Sequence, residues 1–249
     1  MIIRVEGVRP MIVNLLNKLA RRDMLDEHER AVLMAAPAGT KQFGPRRNIV
    51  RQGEPLTQSM LLLDGFVCRY IDLADGKRQI LEFHMPGDFI DLQGFLLKSL
   101  EHNMASVSPV TVALVPHTTL RHITENEPHL TRLLWFTTLI DAAIHRQWIV
   151  SNGRRSAIAR VAHLMCELDT RLDVAGLSDG NSFFLPFTQA DIADATGLTS
   201  IHVNRMLRVL RDDGVMTFRD GRVTITNRPA LADIAEFDPA YLYLHSEPR

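Results

Sequence analysis

The chain has 249 residues, 46% of them apolar, which is enough for two compact domains with separate cores and excludes a disordered chain. Lys and Arg number 28 against 29 Asp and Glu, a formal net charge of −1, so no bulk attraction to nucleic acid exists and any such role must rest on a local motif. The two cysteines, Cys68 and Cys166, have no partner at a metal-ligand or redox spacing, which excludes a disulfide scaffold and fits a thiol-containing cytoplasmic protein.

In residues 1–20, Arg4, Glu6 and Arg9 interrupt the apolar stretch that a signal peptide requires. No later run approaches membrane-spanning length, so the expectation is a cytoplasmic protein that is not inserted in a membrane. A helix is predicted around residues 26–34. Residues 45–116 are then cut into short strands by turn residues at intervals of roughly ten. The apolar runs 60–63, 66–71, 80–83 and 110–115 alternate with Asp64-Gly65, Asp75-Gly76 and Pro86-Gly87-Asp88. Asp-Gly pairs supply the positive φ angles of tight hairpins, so a small antiparallel roll or barrel is predicted.

From 128 to 150 no Gly or Pro interrupts after the first residue, and apolar residues recur at helical spacing, which predicts one long helix. Leu130, Leu133, Thr137, Ile140, Ile144 and Gln147 alternate steps of three and four, as a two-helix seam does, and are the expected homodimer interface. Leu134, Trp135, Phe136, Leu139, Trp148 and Ile149 lie off that seam and are expected to pack on the roll. Asn152-Gly153 is expected to break the helix and form the interdomain hinge, with a second amphipathic helix over 157–171. Phe183-Phe184-Leu185-Pro186 reads as a short strand. The predicted domains are 1–125, 126–152 and 153–249, in an α+β chain of β-roll, dimerisation helix and winged helix-turn-helix.

Residues 188–208 divide into two short helices around Gly197. Thr188 is placed to cap the first, with Asp191 at the third helical position, and Thr199 to cap the second. Ala193 permits a close crossing, Gly197 suits a left-handed turn, and Ile192, Leu198, Val203 and Leu207 supply a shared core. Alternating strands at 215–218 and 222–225 flank Asp220-Gly221 and read as a β-hairpin wing. In such a domain the second helix, here 199–210, enters the major groove of double-stranded DNA. Ser200, Ile201, Asn204, Arg205 and Arg208 are the expected base-facing residues. Arg205 can pair bidentately with guanine O6 and N7, and Asn204 suits adenine. Thr188, Gln189, Thr199 and His202 are placed for phosphates.

The order of roll, long helix, helix-turn-helix and wing resembles the family of the cyclic-AMP receptor protein and the fumarate and nitrate reduction regulator. The resemblance covers nearly the whole chain. It is sharpest in Asp75-Gly76-Lys77-Arg78-Gln79-Ile80-Leu81, in Pro86-Gly87-Asp88-Phe89-Ile90, and in residues 197–207. It implies a cyclic-nucleotide-binding-like roll, homodimers on inverted-repeat sites and contact with RNA polymerase at promoters.

The chain departs from the family's nucleotide cassette. Members that bind cyclic AMP carry Gly-Glu for the ribose and Arg-Ser for the phosphate, where this chain has Asp91-Leu92 and Leu100-Glu101-His102-Asn103-Met104. An anion needs a fixed cation or a nest of backbone donors. Asp91 is expected to repel one, with Lys98 the only positive charge nearby. The first 44 residues lack the cysteines of the iron-sulfur branch. Ile201 stands where family members commonly carry a Glu that reads cytosine, and a contact with a thymine methyl is expected instead.

Haem would need an axial ligand such as His84, His102 or His145, each reading more simply as a surface or loop residue. A cupin-like enzyme would need clustered ligands, but no His-x-His occurs, His84, His102 and His117 are scattered, and no nucleophile-base pair stands out. No cofactor, metal or enzymatic role is therefore expected. A ligand-gated adaptor acting on a protein partner would leave the helix-turn-helix unexplained. The signal stays open between an unassigned small-molecule effector, thiol oxidation at Cys68 or Cys166, and no ligand. Both thiols lie in apolar periodic segments, which favours inert buried groups.

Overall fold

The computed structural model describes residues 12–246. Residues 1–11, with Arg4, Glu6 and Arg9, lie outside the described residues. The chain divides into two compact units. The first holds Met1–Tyr70, Phe83–Ala142 and Tyr243–Arg249, and the second holds Ile71–Glu82 and Ala143–Leu242.

In the first unit, α1 (Val13–Arg22) and α2 (Glu27–Ala35) precede the strands. Asp26 caps α2 in a reciprocal capping box with Glu29. The strands are β1 (Gly39–Phe43), β2 (Asn48–Val50), β3 (Gln58–Asp64), β4 (Val67–Asp72), β5 (Arg78–His84), β6 (Asn103–Ser106) and β7 (Val110–Pro116), with a one-turn α3 (Gly94–Leu97) after β5. They form two sheets, ordered β1-β7-β3 and β2-β6-β4-β5. The outer ends of β4 and β5 form the hairpin Ile71–Glu82 that belongs to the second unit. β3 shows why an apolar run replaced alternation: Met60 and Leu62 fill the roll interior with Val67, Ile90, Met104 and Val112. Leu61 and Leu63 point the other way, into a second core with α1, α2, α4 (His117–Asn126) and the start of α5 (Pro128–Arg154). The four sequence-predicted strands correspond to β3, β4, β5 and β7. The first strand starts at Gly39, ahead of the predicted 45.

Helix α5 does not break at Asn152-Gly153; it runs through both to Arg154. Gly153 is exposed, and a glycine in a helix interior costs about 1 kcal/mol, too little to stop a long helix. The stop comes two residues later, where Ser156 takes an extended conformation and accepts from Ala159 N–H to start α6 (Ala157–Val174).

The second unit continues with β8 (Ser182–Phe184), α7 (Gln189–Thr196), α8 (Ser200–Asp212), β9 (Met216–Arg219), β10 (Arg222–Ile225), α9 (Arg228–Ala235) and a 3-10 turn (Pro239–Leu242). Its sheet is ordered β8-β10-β9. Met216, Val223 and Ile225 are buried, and α9, absent from the sequence reading, packs on α6. No helix among the described residues is long and apolar enough to cross a membrane.

Candidate nucleic-acid interface

The interface is built on α7 and α8. Thr188 starts α7: its amide N–H and hydroxyl both donate to Asp191 Oδ2, at 2.6 and 2.7 Å, and its hydroxyl accepts from Asp191 N–H. Gly197 ends α7 at φ +64, the left-handed region where a side chain costs about 1 kcal/mol or more. Thr199 then caps α8, its hydroxyl accepting from His202 N–H at 3.2 Å. Ile192, Ala193, Val203 and Leu210 are buried between the helices and their supports. Leu198 and Leu207, expected in that core, are half-buried, and Leu210 is buried there with Val203. In the wing, Asp220 and Gly221 both take positive φ, at 51° and 71°, the pattern of a type I′ hairpin.

Buried Val203 and Leu210 fix the opposite, outward face of α8. Ile201, Arg205 and Arg208 fall at i, i+4 and i+7 along that outward face, all exposed, with Ser200 and Asn204 on one flank and His202 on the other. Ile201 is 81% exposed, an unusual position for an isoleucine in a lone subunit. Arg205 and Arg208 have no ion-pair or hydrogen-bond partner among the described residues. Of the phosphate candidates, Thr199 keeps its hydroxyl proton for an outside acceptor and Gln189 is half-buried at the start of α7. Thr188 is different. Both of its donors are already engaged by Asp191, so it has none left to offer a phosphate.

The dimer seam read from the sequence is split by the structure. Leu130 and Leu133 lie inside the first unit's core at 0 and 4% exposure, and Ile144 is buried at 1%. Thr137, Ile140 and Gln147 are only partly exposed. Leu134 is buried in the first unit's core as expected; Trp148 is buried too, but in the second unit, where its Nε1–H donates to Glu167 of α6, and Trp135, Leu139 and Ile149, expected to pack on the roll, are 65, 51 and 72% exposed. Trp135 and Leu139 line a groove of about 250 Å³ with Arg22, His129, Arg132 and Phe136.

At the nucleotide cassette, Asp91 is turned into the protein interior rather than toward solvent. It is fully buried, accepts from Met60 N–H at 2.6 Å, and burial pushes its carboxyl up to about 7 despite that bond and the charge of Arg69. Lys98 is also not the only cation nearby. Its ammonium is exposed and sits over the Phe95 ring at 5.0 Å, while buried Arg69 donates to Ile90 O at 2.9 Å and pairs with Asp141 of α5 at 3.0 Å. The imidazoles considered for haem each face a carboxylate: His84 lies 3.9 Å from Asp88, His102 3.1 Å from Glu101 and His145 3.1 Å from Glu82. His117 lies 3.3 Å from the Ser59 hydroxyl. Both Cys68 and Cys166 are buried, and burial, then the Asp169 carboxylate, pushes the Cys166 thiol up to about 12. A thiol so placed is a poor nucleophile at neutral pH.

Residues 159–234 match the family described as Crp-like helix-turn-helix domain, and residues 40–127 match the cyclic nucleotide-binding domain. The chain is 31% identical over 186 residues to the nitrogen fixation regulation protein FixK of Bradyrhizobium diazoefficiens, covering 74% of this chain and 76% of that protein. To FixK of Rhizobium meliloti it is 28% identical over 204 residues, 82% of this chain and 90% of the relative. The solved structure of FixK2 from Bradyrhizobium japonicum shares the fold with a TM-score of 0.72 at 28% identity, covering 78% of this chain and 96% of that one. These relatives are regulators rather than enzymes, and with both halves of the chain matched and one relative above 30% identity, the chain belongs to the Crp/Fnr family of DNA-binding transcription regulators.

Proposed function

We propose that the protein is a homodimer that sets residues 199–210 in the major groove of an inverted-repeat promoter site, contacts RNA polymerase there in the cytoplasm, and acts without cyclic AMP. The observation that carries this reading is the outward stripe Ile201, Arg205 and Arg208 on a capped helix, with two guanidinium groups that have no partner among the described residues. Guanidinium groups left unpaired on a recognition helix suit guanine edges, and an exposed isoleucine suits a thymine methyl. Ser200 and Asn204 flank them toward the bases, while Gln189, Thr199 and His202 are the phosphate-facing set.

Two further observations support the finer points. Exposed Trp135 and Leu139 beside an open groove suit a second copy of α5, and a two-fold pair of recognition helices calls for a two-fold site. The cassette offers a cyclic phosphate no unpaired guanidinium, because Arg69 is held by Ile90 and Asp141. Micromolar affinity requires about 8 kcal/mol, which an anion does not reach without charge-assisted bonds.

Selection of duplexes from a random pool, run with and without micromolar cyclic AMP, tests the reading. The expected product is one inverted repeat with half-site centres about 34 Å apart, the same in both arms. Failure to enrich any motif, a motif without two-fold symmetry, or enrichment only with nucleotide would contradict it.

A further inference from the structure

The sharpest motif of the roll, residues 75–81, has no part in the function derived so far, yet it reaches the helix-turn-helix. A helix leaves its last carbonyls without internal donors. In α7 these are Asp194, Ala195 and Thr196, and each meets a side chain from a different element of the second unit. Gln79 Nε2, on the hairpin Ile71–Glu82, donates to Asp194 O at 2.8 Å and reaches Ala195 O at 3.3 Å. Asn152 Nδ2 of α5 donates to Ala195 O at 3.1 Å, and Arg160 Nη1 of α6 to Thr196 O at 3.2 Å. Gly197 follows directly, and α8 begins at Ser200.

The hairpin is itself held. At its tip Leu73 N–H donates to Lys77 O at 2.7 Å, and Arg78 pairs with Asp72 at 2.9 Å. At its base Glu82, fully buried, lies 3.1 Å from His145 Nε2 and 3.6 Å from Arg171. Arg171 in turn meets Glu167, which receives Trp148 Nε1–H and the Tyr241 hydroxyl. A side chain mounted on so fixed a hairpin is a rigid stop for the end of α7.

We propose that Gln79 is a positioning residue for DNA binding: its carboxamide fixes the end of α7 and thereby the angle at which α8 meets the groove. This rests on the reading that α8 binds DNA. The chemistry asks for a donor, and α7's C-terminal partial negative charge favours a cation and opposes an anion. The series Gln79→Ala, Gln79→Glu and Gln79→Lys therefore separates donation from bulk.

Affinity for the duplex selected by the wild-type protein is measured for the full-length variants, together with Tm, salt slope and amide hydrogen exchange across residues 197–203. Gln79→Ala is expected to weaken binding about three- to tenfold, the worth of one hydrogen bond, with salt slope and base preference unchanged. Gln79→Glu should weaken it further, Gln79→Lys should restore it to within about threefold, and exchange at 197–203 should rise in the Ala and Glu variants only. Wild-type affinity in the Ala and Glu variants, or equal losses in all three that track Tm, would overturn the proposal. Unchanged exchange in Gln79→Ala would overturn it even if the protein bound no DNA, a result that would separately remove the reading it rests on.

Discussion

His129 stands at the first turn of α5 with a carboxylate on each side: Nδ1 lies 2.6 Å from Glu29 Oε1 and Nε2 3.2 Å from Asp23 Oδ2. An imidazole donates from both nitrogens only when protonated. Burial pulls its pKa down, but the hydrogen bond and charge of Glu29, then those of Asp23, outweigh burial and leave it raised above 6.5. A raised folded-state pKa gives stability that is complete below the unfolded value and is lost as pH rises through the folded one. His129→Gln should therefore lower Tm most at pH below 6.5, by about 2–4 °C if the clamp contributes about 1 kcal/mol, and the gap should close as pH rises above the raised value. Melting curves across that window check it; a gap that widens with pH would contradict the clamp. The same scale shows what local sequence reveals. Thr188 and Thr199 were legible as caps because a cap needs only a residue three positions on. The burial of Asp91 was not legible because its surroundings, the Met60 amide and Arg69, arrive from strands 31 and 22 residues away in sequence.

At the level of elements, α5 was legible as a long helix because its periodicity persists, but its inward side was not. Spacing in steps of three and four says which residues share a face and nothing about what covers it. In this chain the α1–α2 layer and the roll cover Leu130, Leu133 and Leu134, so those residues serve the subunit core and Trp135 and Leu139 face out. Each large apolar side chain gains about 1.5–3 kcal/mol on burial, so two of them per subunit are a substantial part of an association energy. Trp135→Asp with Leu139→Asp should raise the dimer dissociation constant at least about a hundredfold while each monomer keeps its native fold. Analytical ultracentrifugation over a concentration series reads this directly, and an undiminished dimer would place the interface elsewhere. Ile144→Glu, in contrast, should unfold the protein, since Ile144 is 1% exposed.

For the molecule as a whole, the order of elements was legible because each half carries strong local punctuation: Asp-Gly turns in the roll, caps and Gly197 in the helix-turn-helix. What sequence did not reveal is the membership of the hairpin Ile71–Glu82 in the second unit, since the bond from Gln79 to Asp194 spans 115 positions and no periodicity reports it. The base-reading role of α8 is the central claim, and Arg205 is its clearest instrument. Removing a bidentate guanine contact costs about 1–3 kcal/mol at one base pair per half-site, whereas removing a phosphate contact weakens all sequences alike. Site selection repeated with Arg205→Ala should show one symmetric pair of positions losing its guanine preference while the rest of the motif persists. A motif unchanged in every position, whether binding is uniformly weaker or undiminished, would contradict the claim.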